Sequence, residues 1–168
     1  MTFHVRNQRS QIGRQAVAGE LRRLGFDVMN FGYEHWDADV ASALKRADPP
    51  TLLRWVPDLL ICSARTGRHV WGVEVKCASG VSSVVNVEAD SVRAAQAVER
   101  HLMLNVAFAV WNEAESVVLA CRPDDITLYD ILPGTSNGSG TSYVVKYLSQ
   151  LKPVKDVLPD LDWIEGAA

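Results

Sequence analysis

Between positions 8 and 24, Ile12, Ala16, Val17, Leu21 and Leu24 recur at helical spacing, which predicts an amphipathic helix ended by Gly25. The run FDVMNF at 26–31 predicts a first strand. From 32 to 55 the pattern is mixed. Only Asp39 to Ala47 reads as helix, stopped by Asp48-Pro49-Pro50, and the segment reads as an insertion between core elements. Apolar runs at 57–62 and 68–76 predict a hairpin with its turn at Thr66-Gly67. Residues 78–87 read as a loop, and Val92, Ala95, Val98, Glu99 and Leu102 mark a second helix over 88–102. Strands are expected at 105–111 and 116–121, with a turn at 112–114. Beyond them, 123–132 and 143–151 fit either strand or helix, and 133–142 is a flexible loop by composition. The order of elements predicts an α/β fold: a mixed sheet with helices packed on it.

The second strand of the hairpin carries charge in an otherwise apolar run. Alternation puts Trp71, Val73 and Val75 on one face and Val70, Gly72, Glu74 and Lys76 on the other. Glu74 and Lys76 then point the same way, about 6.5–7 Å apart, and Gly72 leaves room beside them. Counting back from the turn places Asp58 opposite residues 74–76. Two neighbouring carboxylates offer hard oxygen ligands that suit Mg²⁺, which keeps several waters and takes few protein groups. Such an ion neutralises phosphodiester oxygens and acidifies water. A lysine within reach can orient that water, or take its proton if burial depresses the lysine pKa. Without metal the carboxylates repel phosphate, so this chemistry requires the ion.

Composition narrows the class. The 168 residues, 48% hydrophobic and 22% charged, suit one domain spanning 1–168. No apolar run approaches the roughly 20 residues of a membrane span, and the basic N-terminus has no apolar stretch behind it, so neither membrane nor secretory signal is expected. Three separated cysteines, Cys62, Cys77 and Cys121, read as reduced thiols and point to the cytoplasm. The net charge of −3 is unevenly spread: Arg6, Arg9, Arg14, Arg22 and Arg23 face only Glu20 within the first 24 residues. Arg6, Arg9 and Arg14 are the candidates to lie along a DNA backbone. No Walker glycine loop is present, so ATP is not expected. Glu34, His35 and Asp37 read as a surface loop, and Trp36 and Trp55 either stack on bases or close a small core.

Pro57-Asp58, fifteen intervening residues and then Glu74-Val75-Lys76 resemble the PD-(D/E)xK motif of restriction-endonuclease-like nucleases. The stretch AGELRRLGFDVMN is similar to the opening helix of archaeal-type Holliday-junction resolvases, with Glu20 at the position of their helix glutamate. The resemblance spans about residues 10 to 112. It implies an α-β-β-β-α-β core, a mixed central sheet flanked by helices. It also implies Mg²⁺, with Mn²⁺ as a substitute, held by Asp58, Glu74 and the Val75 backbone carbonyl. Glu20 would support the ion directly or through water, Lys76 would position or activate the attacking water, and Gln96 would be an auxiliary group. The implied activity is Mg²⁺-dependent DNA endonuclease action, on branched DNA and as a homodimer. The alternatives are a duplex- or end-processing defence or repair nuclease, and an inactive member that binds nucleic acid or protein. The chain departs from the resolvases in its acidic balance, its long 32–55 segment, and Cys77-Ala78-Ser79-Gly80 where basic residues usually follow the lysine.

Overall fold

A computed structural model of the chain describes residues 3–47, 52–63, 70–127, 131–132 and 142–158. In chain order the elements are α1 (Phe3–Arg23), β1 (Phe26–Asn30), α2 (Ala38–Arg46), β2 (Leu59–Ser63), β3 (Val70–Ala78), β4 (Val84–Glu88), α3 (Ala89–Leu102), β5 (Asn105–Asn112), β6 (Val117–Cys121), β7 (Ile131–Leu132), β8 (Tyr143–Tyr147), β9 (Lys152–Pro153) and α4 (Val154–Val157). Among the described residues, six strands form a sheet in the order β1-β2-β3-β5-β6-β9, and β4-β8-β7 form a smaller one. Within the large sheet β3 and β5 run parallel, and the other pairs are antiparallel. Parallel neighbours need a long crossover, and β4 with α3 supply it. The sheet is therefore mixed, and its leading elements follow the expected α-β-β-β-α-β order.

Each face of the large sheet carries its own core. On one, Val17, Ala18 and Leu21 of α1 pack against Trp71, Val73, Val75, Ala107 and Ala109. On the other, Val92, Ala95 and Val98 of α3 pack against Val106, Phe108 and Val110. Leu21 and Phe108 are fully buried, and burial of a side chain of that size stabilises by about 1.5–3 kcal/mol. The buried stripe of α1 is not quite the expected one: Gly13, Val17 and Leu21 face the sheet, whereas Ile12 is 56% exposed.

Several expectations shift. The first helix begins at Phe3, five residues earlier than the apolar spacing indicates. The segment read as a loop at 78–87 contains β4, which pairs antiparallel with β8. Gly80, Ser82 and Ser83 dominate its composition, but Val85 and Val87 alternate with exposed Asn86 and bury themselves against α3. Residues 143–147 resolve as strand, and Pro123–Asp125 as a 3-10 turn. The 32–55 segment holds a 3-10 turn at Tyr33–His35, then α2, capped by Asp37, whose carboxylate accepts from the Asp39 and Val40 N–H groups, and a second 3-10 turn at Leu52–Trp55. The Thr66-Gly67 turn and residues 133–141 lie outside the described residues. Among those residues all three cysteines are free, with Cys121 buried, and no helix is long and apolar enough to cross a membrane.

Candidate active site

The site grows from the junction of β2 and β3. Their register pairs Leu59 with Val73 and Leu60 with Gly72, so Asp58, one residue before β2, comes beside Glu74. The backbone carbonyl of Asp58 accepts hydrogen bonds from the N–H groups of Phe31 and Gly32, at 2.8 and 3.0 Å. This ties the residue to the end of β1. Its side chain is fixed as well, because Val75 N–H donates to Asp58 Oδ2 at 2.8 Å. The neighbouring proline explains the glycine. A Cβ on Gly72 would fall 2.5 Å from Pro57 Cγ, so the space expected beside the charges is filled by the ring that precedes Asp58.

Glu74 and Lys76 share the α3 side of β3. Lys76 Nζ donates to Glu74 Oε1 at 2.8 Å, and Ser91 Oγ, from the first turn of α3, donates to the same oxygen at 3.3 Å. The side chains of Asp58, Glu74 and Lys76 are 20%, 19% and 20% exposed, which screens them only in part. Burial disfavours the Lys76 ammonium, but the Glu74 carboxylate, with Glu88 and Asp58 behind it, outweighs burial and raises its pKa above the ordinary lysine range. Lys76 is therefore a cation. In this charge setting Lys76 is a hydrogen-bond donor, which fits the positioning role expected of it.

Asp58 and Glu74 open into a cleft of about 280 Å³, lined also by Tyr33, Trp55, Glu88 and Ser91. Lys76 lines a neighbouring groove of about 570 Å³ with Arg9, Ser79, Ser82 and Trp111, and Glu88 borders both. The donor set is all oxygen. Among the described residues no group of three or more His, Cys, Asp or Glu converges as a metal cluster. A site with two carboxylates suits Mg²⁺, which accepts few protein ligands, rather than zinc, which takes three or four. Val75 directs its N–H toward Asp58, and in a strand the N–H and C=O of one residue leave on the same edge. The Val75 carbonyl therefore faces the Asp58 side of β3, where the expected ligand set needs it.

The structure does not bring Glu20 to this cleft. Its carboxylate takes two hydrogen bonds from Arg23, at 2.8 and 2.6 Å, and those bonds hold its pKa below the ordinary value. It lines a separate hollow with Trp111, Glu115 and Lys155. The α1 side chain at Asp58 is Arg14, whose Nη1 lies 3.7 Å from Asp58 Oδ1. Six residues turn a helix about 240° beyond a full turn and advance it about 9 Å, so Arg14 and Glu20 cannot both face one carboxylate. Arg14 is thus turned toward Asp58 and largely shielded from solvent. Arg9 stands at the rim of the larger groove and pairs loosely with Glu113 at 3.5 Å. The side chain of Arg6 lies outside the described residues. Gln96 lines neither cleft, being five residues, or about 140° of helix rotation, past Ser91.

Sequence reasoning missed Glu88, Ser91, Tyr33 and the inward aim of Arg14. Glu88 heads the helix expected over 88–102, and nothing local shows that its side chain borders the cleft of Asp58 and Glu74. For Arg14 a signal existed: Ala18 and Leu21, four and seven positions on, are buried, and an arginine continuing that stripe must meet a partner.

The chain resembles a number of solved structures, two of them nucleases. The Holliday junction resolvase Hjc of Archaeoglobus fulgidus, an archaeal hyperthermophile, matches with a TM-score of 0.54 at 12% identity, covering 88% of this chain and 93% of that one. D212, a nuclease from a fusselovirus, matches with a TM-score of 0.47 at 14% identity, covering 93% and 90%. No family model and no curated protein sequence matches the chain. The first likeness establishes the fold as the restriction-endonuclease-like one expected from the PD-(D/E)xK pattern.

Proposed function

We propose that the protein is a Mg²⁺-dependent endonuclease that hydrolyses DNA phosphodiester bonds. The observation that carries the reading is the convergence of Asp58, Glu74 and Lys76 on adjoining clefts, with Asp58 held by the Val75 N–H at 2.8 Å. In a fold shared with a Holliday junction resolvase, that placement supports nuclease chemistry. Asp58 and Glu74 would hold Mg²⁺, which would supply charge neutralisation at the phosphate and acidify the attacking water. The remaining work belongs to the chain. Val75 N–H and Ser91 Oγ fix the donor oxygens of Asp58 and Glu74, so little reorganisation is left when the phosphate arrives. Lys76, already an ammonium, offers donors to the water and to the negative charge that grows on the phosphoryl oxygens. Arg9 and the groove beyond Lys76 give a backbone-positioning surface without base readout.

Branched DNA is the preferred substrate class, supported by the fold shared with a junction resolvase, and paired cuts in symmetric strands call for a homodimer. Incubation with four-way junction, flap, nicked and linear DNA under Mg²⁺ tests both levels. The expected result is symmetric cleavage of the junction well above linear duplex, by a species that sediments as a dimer. Equal cutting of linear duplex would move the protein to the end- or duplex-processing reading. Absence of cutting on every substrate would leave the inactive binding reading.

A further inference from the structure

Asp58 is an unusual carboxylate for a cation site, because each of its oxygens already faces a donor. Oδ2 accepts the Val75 N–H, and Oδ1 faces the Arg14 guanidinium at 3.7 Å. The same Nη1 of Arg14 also lies 3.3 Å from His35 Nε2 in the 3-10 turn of the insertion. Next to it, Gly13 lets α1 approach β3 so closely that a Cβ there would fall 2.0 Å from Cys77 Sγ. Cys77 Sγ in turn lies 3.5 Å from the Arg9 carbonyl, and Val17 and Leu21 seal the same helix face at 0% exposure. With its side chain 17% exposed, Arg14 is a largely shielded positive charge set directly behind Asp58.

A carboxylate that bridges two divalent ions gives one oxygen to each. On Asp58 the α1 side is occupied by a guanidinium, and a second dication there would sit against a like charge that is largely shielded from solvent. We infer that Arg14 restricts the site to one divalent ion, held between Asp58 and Glu74, and that it stands in the place of a second. The inference rests on the metal-dependent reading above and goes beyond it in fixing the number of ions and the residue that sets it.

Counting bound Mn²⁺ by electron paramagnetic resonance in the full-length, metal-stripped protein tests this without DNA. Wild type is expected to bind one ion per chain. Arg14→Glu, which replaces the competing cation with a carboxylate on the far side of Asp58 from Glu74 and Glu88, is expected to bind two. Arg14→Gln is expected to keep one ion, bound about tenfold more tightly, because attraction by Asp58 is no longer shared. Two ions on wild type, or one on a folded Arg14→Glu protein, overturns the inference and leaves the nuclease reading standing. If circular dichroism shows Arg14→Glu unfolded, Arg14→Gln decides, and unchanged affinity overturns it. No ion on wild type or on Arg14→Gln overturns the metal-dependent reading itself, and the inference with it.

Discussion

The two faces of β3 do different work with one run of sequence. Toward α1 the strand presents Trp71, Val73 and Val75, all buried in a continuous apolar core. Toward α3 it presents Gly72, Glu74 and Lys76, of which the last two meet solvent in the clefts. Alternation along the strand therefore separates stability from chemistry at intervals of one residue. The separation has one exception. Gly72 lies on the chemical face but acts through packing, since it admits Pro57 and so sets where Asp58 stands.

Substitutions on the two faces should break the protein in opposite ways. The largest effect belongs to the charged face. Glu74→Gln and Lys76→Ala should each lower DNA cleavage by about 10²–10³-fold or more while the fold survives, a contrast read by pairing cleavage rates with urea unfolding. Val73→Ala, one position away and fully buried, should do the reverse. It should cost about 2–3 kcal/mol of stability and leave the rate per folded molecule nearly unchanged. Gly72→Ala should fail both tests at once, losing about 1–3 kcal/mol to the clash with Pro57 and slowing cleavage as Asp58 shifts. A Gly72→Ala protein with wild-type stability would end the account of that glycine.

Two smaller effects sharpen the same contrast. Glu20→Gln, remote from the cleft and paired with Arg23, should leave cleavage within about twofold of wild type. The pH dependence follows from Lys76, whose pKa is raised in the folded protein. Stability from its charged form is complete below the ordinary lysine value, about 10.4, and is lost as pH rises through the folded value. Wild-type stability should therefore hold through neutral pH and decline in that alkaline range. Lys76→Met should lack this component.

What the sequence revealed follows the same lines. The pairing of Asp58 with Glu74 was legible because a short hairpin leaves few registers, and the observed one puts residue 59 opposite 73. The faces of β3 were legible because a period of two admits no other assignment. Gly72 was read as open space because nothing local shows that Pro57 folds back onto it. Glu20 was placed by resemblance to a helix glutamate, whereas helix rotation gives the Asp58-facing position to Arg14. β4 went unread because its serines and glycine speak for a loop, and its pairing partner, β8, lies some sixty residues further along. Local pattern carried the strand faces; it could not carry contacts made across long stretches of chain.

The central claim is that Asp58 and Glu74 together hold the ion on which cleavage depends. Anomalous scattering from a crystal soaked in Mn²⁺ tests it most directly. The account predicts a peak between the two carboxylates, about 2.0–2.3 Å from an oxygen of each. A soaked crystal with no peak there, or with its peak at Glu20 instead, would contradict it.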